Sequence, residues 1–285
     1  MVLHQRGSGL GPDIHFVSGQ TKGSPQNRSQ LMSFRIHQIR LFAKFLSVFG
    51  NSNFGTTVIQ KTRVKPLLRF GLDGLLGYRR TFSSFSDAQH CASSYIPHGH
   101  EHTDEIQAHT RLAEIVRESD YPVLFFLAPL ARELRTVFDL GGNVGNLFYA
   151  YRQHLDFAMD LLWIVHDLPV KASFGERLAA ERGEHRIRFV DTLADASGTD
   201  LFIASGSMHY FDSSLDKMLG ALAKLPIRVI VNRSPVSRGK DLITVQDNGS
   251  YLVPCKLHSE QQLIVGMQAL GYKLRASWPV HQRSL

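Results

Sequence analysis

Cysteine is scarce in this chain of 285 residues. Its two cysteines, Cys91 and Cys255, stand far apart in the sequence and form neither a metal-binding nor a redox motif. They therefore suit thiols that lie buried or idle in a reducing compartment. Long apolar runs are also missing, so the sequence predicts no membrane-spanning helix. A hydrophobic content of 43% nevertheless supports a substantial core, in one large domain or in one domain with an appendage.

Acidic residues are rare in the first part of the chain. Residues 1–80 contain 12 Lys and Arg residues but only 2 Asp and Glu residues, whereas the rest of the chain contains 20 against 23. The net charge of +7 therefore belongs to the N-terminal part, and the remaining body is slightly acidic. A slightly acidic body argues against a nucleic-acid groove across it, so we expect no nucleic-acid partner.

Residues 1–31 show little hydrophobic periodicity and are rich in Gly, Ser, Gln and Asn, a composition that predicts a disordered tail. A more protein-like sequence begins at Met32, which suggests that translation starts either at Met1 or at Met32. Residues 32–120 predict a basic, largely helical region that precedes the main domain.

Within this region, residues 33–49 predict a basic amphipathic helix. Such a helix packs on the main domain, or it lies on an anionic membrane together with the basic residues that follow, so that residues 33–80 make a peripheral contact. Lys44 interrupts the apolar stretch, which disfavours a signal peptide. The predicted location is the cytoplasm, with peripheral contact to the inner membrane under the second interpretation.

Three histidines and a glutamate alternate within residues 97–102. A metal site and a solvated loop both remain open as interpretations. Alternate residues on one loop do not define a tetrahedral site, and no distant ligand is signalled. We therefore predict no metal.

The most informative stretch is residues 135–151. A short apolar run ends in Asp139, a glycine-rich turn follows, and a helical pattern starts at Leu147, an order that predicts a buried strand, a tight loop and a helix. The turn contains Gly141, Gly142, Asn143 and Gly145.

A carboxylate beside such a turn repels a phosphate, but it suits a ligand with hydroxyls or a cation. S-adenosylmethionine has a sulfonium, an ammonium and a ribose, and it has no phosphate. Methyltransferases that use it commonly carry the loop acid-x-Gly-x-Gly-x-Gly. Asn143 replaces the middle glycine here, which is tolerable because asparagine accepts a left-handed backbone better than most residues.

Two other interpretations of the loop stay open. The dinucleotide pattern Gly-x-Gly-x-x-Gly fails, because its second glycine would fall at Asn143 and its third at Asn146. A purely structural turn between a strand and a helix is the remaining alternative.

The strands that follow end in polar residues. Asp167 comes 28 residues after Asp139 at the end of the second predicted strand, residues 161–165, where it could accept hydrogen bonds from a ribose diol or cap the next helix. Asp191 follows the third strand, residues 186–190, and either accepts from the adenine amine or lies in a solvated turn. Ser205 follows the fourth strand, residues 200–204, and is a candidate cofactor-binding residue, because polar groups at this strand end face the crevice.

Two residues are candidates for the chemistry of an acceptor. His209 is the first choice for a general base if the acceptor is a hydroxyl, although a satisfied loop histidine is an equal alternative. Arg233 follows the fifth strand, residues 228–231, and could bind an acidic acceptor such as a phosphate or a uronic acid, or form a surface ion pair. Residues 243–245 and 251–254 predict late strands or an inserted hairpin, followed by a helix at 260–270 and a strand at 272–278.

Residues 77–278 resemble a family of class I methyltransferases that is often encountered among bacterial surface-polysaccharide functions. The resemblance covers about two-thirds of the chain. It rests on the segments YPVLFF (121–126), FDLGGNVGN (138–146), WIVHDLP (163–169), DLFIASG (200–206), VNRSP (231–235), TVQ (244–246) and GYKL (271–274), and on Trp278. His209 departs from it, because relatives would carry Gln at this position.

The resemblance implies an α/β fold of the three-layer, Rossmann-like class I type: a seven-stranded, mostly parallel sheet with its last strand antiparallel and an N-terminal helical appendage. It also implies a methyltransferase domain at residues 121–285 and an S-adenosylmethionine site at Asp139, Gly141, Gly145 and Asp167. The predicted activity is methyl transfer to a hydroxyl or other heteroatom of a small molecule or glycan intermediate. The alternatives are an inactive binding module that keeps the cofactor fold and, with less support, an NAD-dependent oxidoreductase.

Overall fold

A computed structural model describes residues 1–5, 78–93, 114–247 and 252–280. Residues 1–7 and 81–285 form one compact unit. The other unit, residues 8–80, lies outside the described residues except for its last three. The predicted amphipathic helix at 33–49, the segment proposed to contact a membrane and the histidine-rich loop at 97–102 therefore all fall outside the described ranges.

The central feature is a seven-stranded sheet. Its strands are β1 (Val2–Gln5), β3 (Thr136–Leu140), β4 (Leu162–His166), β5 (Ile187–Val190), β6 (Leu201–Ser205), β7 (Arg228–Asn232) and β11 (Tyr272–Ala276). They lie in the order β11-β1-β7-β6-β3-β4-β5. Strands β3 to β7 pair in parallel, whereas β1 is antiparallel to both β7 and β11, so that the last strand runs antiparallel to its neighbour. The predicted fold class is confirmed.

Strand β1 corrects the expectation of a disordered tail at its first residues. Val2–Gln5 lie between β7 and β11, and Leu3 is fully buried in the core. Four residues are too short a run to show a period against a Gly- and Ser-rich background, so composition outweighed the local Val-Leu signal. Tyr78–Phe82 form a further strand, β2, inside the region that was expected to be helical.

Helices cover both faces of the sheet because the strands bury both faces. The first face packs against α2 (Tyr121–Leu127), α3 (Asn146–Tyr151) and α4 (Pro169–Glu181), and the second packs against α5 (Leu215–Gly220) and α6 (Glu260–Ala269). Alternation along β3 sends Val137 to the first face and Phe138 to the second. Asp139 follows on the face of Val137 by the same period of two.

A smaller sheet contains β2 together with β8 (Val236–Ser237), β9 (Leu242–Asp247) and β10 (Leu252–Ser259), in the order β2-β9-β10-β8. Of the late strands or hairpin that the sequence predicted, the hairpin is observed, because β9 and β10 are antiparallel. Helix α1 (Phe85–Ser93) packs on this hairpin through Ala88 and Ala92, which meet Val245. No helix in the described part of the chain is long and apolar enough to cross a membrane.

Candidate functional site

The carboxyl ends of five neighbouring strands are in register. Leu140 of β3 pairs with His166 of β4 and with Ala204 of β6, and the row extends to Val190 and Val231. The next residue of each strand or loop therefore lies along one edge of the sheet, where open α/β sheets bind their ligands. This edge carries Asp191, Asp167, Gly141, Ser205 and Asn232.

The glycine loop that follows β3 is a tight turn. Its backbone is left-handed at Gly141 (φ 70°), Asn143 (φ 57°) and Gly145 (φ 91°). The expectation that Asn143 tolerates this conformation is confirmed, and its side-chain Oδ1 accepts the N–H of Val144 at 2.9 Å. A side chain at Gly141 would collide with Ser207, whose hydroxyl donates to the carbonyl of Leu140. The turn after β6 thus packs directly against the loop.

Asp139 lies beneath this loop and is only 1% exposed. Its Oδ2 accepts a hydrogen bond from Trp163 Nε1 at 3.1 Å, whereas its Oδ1 has no hydrogen-bond partner among the described residues. Burial raises the pKa of Asp139 to about 7; the Trp163 hydrogen bond opposes the rise and the charge of Asp167 adds to it. A Cβ at Gly142 would lie 2.5 Å from Oδ2, so glycine is needed for the loop to rest on the carboxyl group.

Asp167 ties the end of β4 to the loop. Its Oδ2 accepts the N–H of Asn143 at 2.8 Å, and its Oδ1 accepts the N–H of Leu168 at 2.7 Å. Lys171 Nζ lies 3.7 Å from Oδ1. Leu168 is the N-cap residue of α4, so Asp167 does not cap that helix. The two acids that the sequence singled out therefore share one edge and one loop, with Asp139 below the loop and Asp167 beside it.

The other predicted ligand-edge residues separate into two groups. Asp191 is exposed just beyond β5, next to the β4 end, where His166 Nδ1 lies 3.1 Å from the carbonyl of Val190. Ser205 lies at the end of β6, where its Oγ accepts from Asn232 Nδ2 at 3.3 Å and from Arg233 Nε at 3.2 Å. Ser205 thus contacts both Asn232 and Arg233.

Arg233 is half-buried and has a left-handed backbone, φ 50°. Its Nη2 donates to the carbonyl of Ser205 at 3.2 Å, which together with the Nε bond clamps the guanidinium to one residue. Among the described residues, no carboxylate forms an ion pair with Arg233, so the surface ion pair considered from the sequence is not seen in that part of the chain.

Asp120 and Asn232 were not predicted as site residues. Asp120 precedes α2 and is 2% exposed; its Oδ1 accepts from Asn232 Nδ2 at 3.2 Å. Trp278 Nε1 donates to Asn232 Oδ1 at 3.3 Å. Burial raises the pKa of Asp120, and burial with the nearby Asp120 carboxylate raises the pKa of Tyr151 well above its ordinary range. The position of Asn232 after a buried strand was a usable signal, whereas nothing in the sequence linked Asp120 to it.

His209 lies in a short 3₁₀ turn, Met208–Tyr210, two residues beyond Ser207. It is 1% exposed, and neither ring nitrogen has a well-formed hydrogen bond to a described residue, although Gln246 of the hairpin lies beside the ring. Burial lowers the pKa of His209 to about 4; Gln246 opposes this and His258 adds to it. The imidazole is therefore neutral at pH 7 and has a free lone pair, but it is covered.

A comparison with protein-family models finds no match, and a comparison with curated proteins finds none either. Among solved structures, a 1,6-didemethyltoxoflavin-N1-methyltransferase of Burkholderia thailandensis is similar at 19% identity, over 68% of this chain and 81% of that chain, with a TM-score of 0.43. Human N-acetylserotonin methyltransferase is similar at 16% identity, over 74% and 63%, with a TM-score of 0.42. An O-methyltransferase from neocarzinostatin biosynthesis is similar at 15% identity, over 74% and 71%, with a TM-score of 0.37. Those three proteins were crystallised with S-adenosylhomocysteine or S-adenosylmethionine.

Proposed function

We propose that this protein is an S-adenosylmethionine-dependent methyltransferase. The observation that carries the proposal is the buried carboxyl group of Asp139, whose Oδ1 has no partner among the described residues and whose Oδ2 lies under Gly142. An unpaired buried carboxylate oxygen is costly, so it calls for a donor from a ligand or from water. An ammonium or hydroxyl donor fits it, whereas a phosphate does not.

Three acids would hold the cofactor. Asp167 would accept from ribose hydroxyls, because each carboxylate oxygen keeps a lone pair beyond the bonds that it already makes. Asp139 would accept from a cationic or hydroxyl donor above it, and the exposed Asp191 would accept from the adenine amine. When bound, the cofactor supplies a methyl group already activated on a sulfonium.

The remaining work of this chain is to bind the acceptor, exclude water and remove a proton. Positioning alone can account for much of the rate in a displacement of this kind. His209 is neutral at pH 7 and is the proposed base for a hydroxyl acceptor. The proposed acceptor is a small molecule or a glycan intermediate, and surface-polysaccharide metabolism is the proposed context for the latter.

The burial of His209 favours one rival: a binding module that keeps the cofactor site but performs no chemistry. A base that is 1% exposed can reach an acceptor only if the hairpin above it moves. An oxidoreductase that uses NAD has less support, since a pyrophosphate over the loop would meet two acids, Asp139 and Asp167. Lys171 lies 3.7 Å from Asp167 Oδ1, whereas Asp139 has no ion-pair partner among the described residues.

Isothermal titration with S-adenosylhomocysteine and, separately, with NAD tests the cofactor. We expect S-adenosylhomocysteine to bind and NAD not to bind. Asp167→Asn should weaken the binding at least tenfold, because one ribose acceptor is lost. The matched control is Asp156→Asn, which removes the same charge from an exposed acid that pairs with Arg132. Equal affinity in both variants would remove Asp167 from the site.

Transfer of a labelled methyl group into extracts of the source cell then separates an enzyme from a binding module. Incorporation into a compound of low molecular weight supports the proposed activity. Binding without any incorporation favours the inactive module.

A further inference from the structure

Arg233 is a half-buried cation without an ion-pair partner in the described ranges, held at the ligand-binding edge of the sheet. The guanidinium group carries five N–H donors. Ser205 accepts from two of its nitrogens, Nε and Nη2, and no described residue accepts from Nη1. The outer side of the guanidinium fork is therefore left with donors to offer.

The backbone at Arg233 adopts an uncommon, left-handed conformation. A non-glycine residue at φ 50° is strained, and such strain persists where the surroundings impose it. Gly206 lies against the side chain, because an added Cβ there would be in ordinary van der Waals contact with the guanidinium atoms of Arg233, at 3.4 to 3.7 Å. The guanidinium therefore rests on the turn after β6.

A second layer fixes Ser205. Asn232 donates both to Ser205 Oγ at 3.3 Å and to Asp120 Oδ1 at 3.2 Å, and its own Oδ1 accepts from Trp278. All three bonds orient the amide. The rigid chain from Asp120 through Asn232 and Ser205 therefore positions the guanidinium.

The buried Asp120 is a candidate for a countercharge, but each of its oxygens already accepts a hydrogen bond from another residue. Its Oδ2 accepts the backbone N–H of Arg117 at 3.0 Å, and its Oδ1 accepts from Asn232. Burial raises the pKa of Asp120, and the backbone hydrogen bond and the charge of Arg117 oppose the rise. Asp120 forms no ion pair with Arg233 in the described part of the chain, so the guanidinium stays available for a ligand.

We infer that the methyl acceptor carries an oxyanion, a carboxylate or a phosphate, which the Arg233 guanidinium binds. This inference rests on the proposed function and names its substrate class. A planar guanidinium with free outer donors matches the two oxygens of such a group in a bidentate pair. Because Ser205 lies in the same row as Gly141 and Asp167, the anion would sit along the edge that holds the proposed cofactor site.

The test is a titration of the full-length protein, with and without S-adenosylhomocysteine, by saturation-transfer NMR. The probes are glucose 6-phosphate and D-glucuronate, each compared with neutral glucose. We expect at least a tenfold preference for an anionic probe over glucose, and the preferred probe tells a phosphate from a carboxylate. Arg233→Gln should abolish the preference, and Arg233→Lys should keep part of it as a point charge. The exposed Arg238 provides the matched control, since Arg238→Gln should change nothing.

Arg233→Gly separates binding from folding. Glycine adopts φ 50° without strain, so its melting temperature should equal or exceed that of the wild type while the anion preference is lost. A lower melting temperature together with an unchanged probe preference would make Arg233 a structural residue and overturn the inference.

The two proposals fail separately. Normal binding of S-adenosylhomocysteine with no anion preference overturns only the inference. No binding of S-adenosylhomocysteine overturns the proposed function, and the titration without it then decides whether Arg233 binds anions at all.

Discussion

Replacing Asp139 by asparagine isolates the charge of the carboxyl group beneath the loop. In the wild type, Trp163 Nε1 donates to Asp139 Oδ2 at 3.1 Å. Asparagine keeps the shape of the side chain and an Oδ1 that can accept the same hydrogen bond. It cannot ionise. The variant therefore removes the cost of a buried negative charge without leaving a cavity.

The size of the effect follows from the pKa. Burial raises the pKa of Asp139 from 3.8 to about 7. This difference corresponds to a change of about 4 kcal/mol in the free energy of unfolding between low and high pH. Because the folded-state pKa is the higher one, the folded protein binds the proton more tightly than the unfolded chain. The stability that this group contributes is fully present below pH 3.8, declines as the pH rises, and is lost above pH 7.

Urea unfolding of the wild type and of Asp139→Asn between pH 5 and pH 8 measures this directly. Between these limits the wild type should lose about 3 kcal/mol relative to the variant, at roughly 1.4 kcal/mol per pH unit up to the pKa. Curves that stay parallel across the range would show that the carboxyl group is not desolvated, and the argument for an unpaired oxygen would fail.

The affinity for the cofactor should rise with pH, whereas the stability of the wild type falls. A cationic donor at Asp139 Oδ1 prefers the ionised carboxyl group, about one tenth of which is present at pH 6 and most at pH 8. The affinity of the wild type for S-adenosylhomocysteine should therefore rise about tenfold over this range, relative to the affinity of Asp139→Asn. The ratio cancels any titration of the ligand itself. A constant ratio would mean that the ligand does not bond to Asp139.

Three further changes test the surroundings of the site. Gly142→Ala places a methyl group 2.5 Å from Asp139 Oδ2, so it should reduce the unfolding free energy by about 1–3 kcal/mol and the cofactor affinity at least tenfold. The control is Gly220→Ala, in a helix where the new Cβ meets only one atom at 3.5 Å; thermal unfolding should show this variant to be neutral or slightly stabilised. Trp163→Phe removes the donor to Asp139 and should cost about 1–3 kcal/mol at pH 8 and clearly less at pH 5, a difference that urea unfolding can check. Burial lowers the pKa of His209 to about 4, so its contribution to stability is complete above pH 6.5 and is lost as the pH falls towards 4. Over that range the unfolding free energy of the wild type should fall by about 3 kcal/mol more than that of His209→Gln. Equal losses would show that the imidazole is not desolvated.

The part of the site that the sequence predicted is the part made of local patterns. An apolar run, an acid and a glycine turn specify a strand, a loop and a helix within residues 135–151, and the structure confirms that order. The alternation of strands and helices then placed Asp139 and Asp167 at one sheet edge, because parallel strands end together.

What the sequence did not predict depends on distant segments. Asp120 reaches Asn232 from a turn before α2, and no local signal marks a hydrogen bond between residues so far apart. Gln246 of β9 and His258 of β10 lie near His209, and these strands were predicted without a place to pack. The contacts of Ser205 with Asn232 and Arg233 were not predicted either, because they depend on a left-handed backbone at Arg233 that a single arginine gives no reason to expect.

The position of β1 has a consequence for how the sheet assembles. Strands β3 to β7 lie next to one another and are joined by connections far shorter than the segment between β1 and β7, so this parallel block can form before β1 docks. The slot between β7 and β11 is filled by Val2–Gln5, which must cross nearly the whole length of the chain to reach its partners. Closing so long a loop is slow, and β11 has no neighbour to pair with until it happens. A chain in which β7 has formed but β1 has not yet docked would therefore hold an open sheet margin at β7, and this margin is where a chaperone would act.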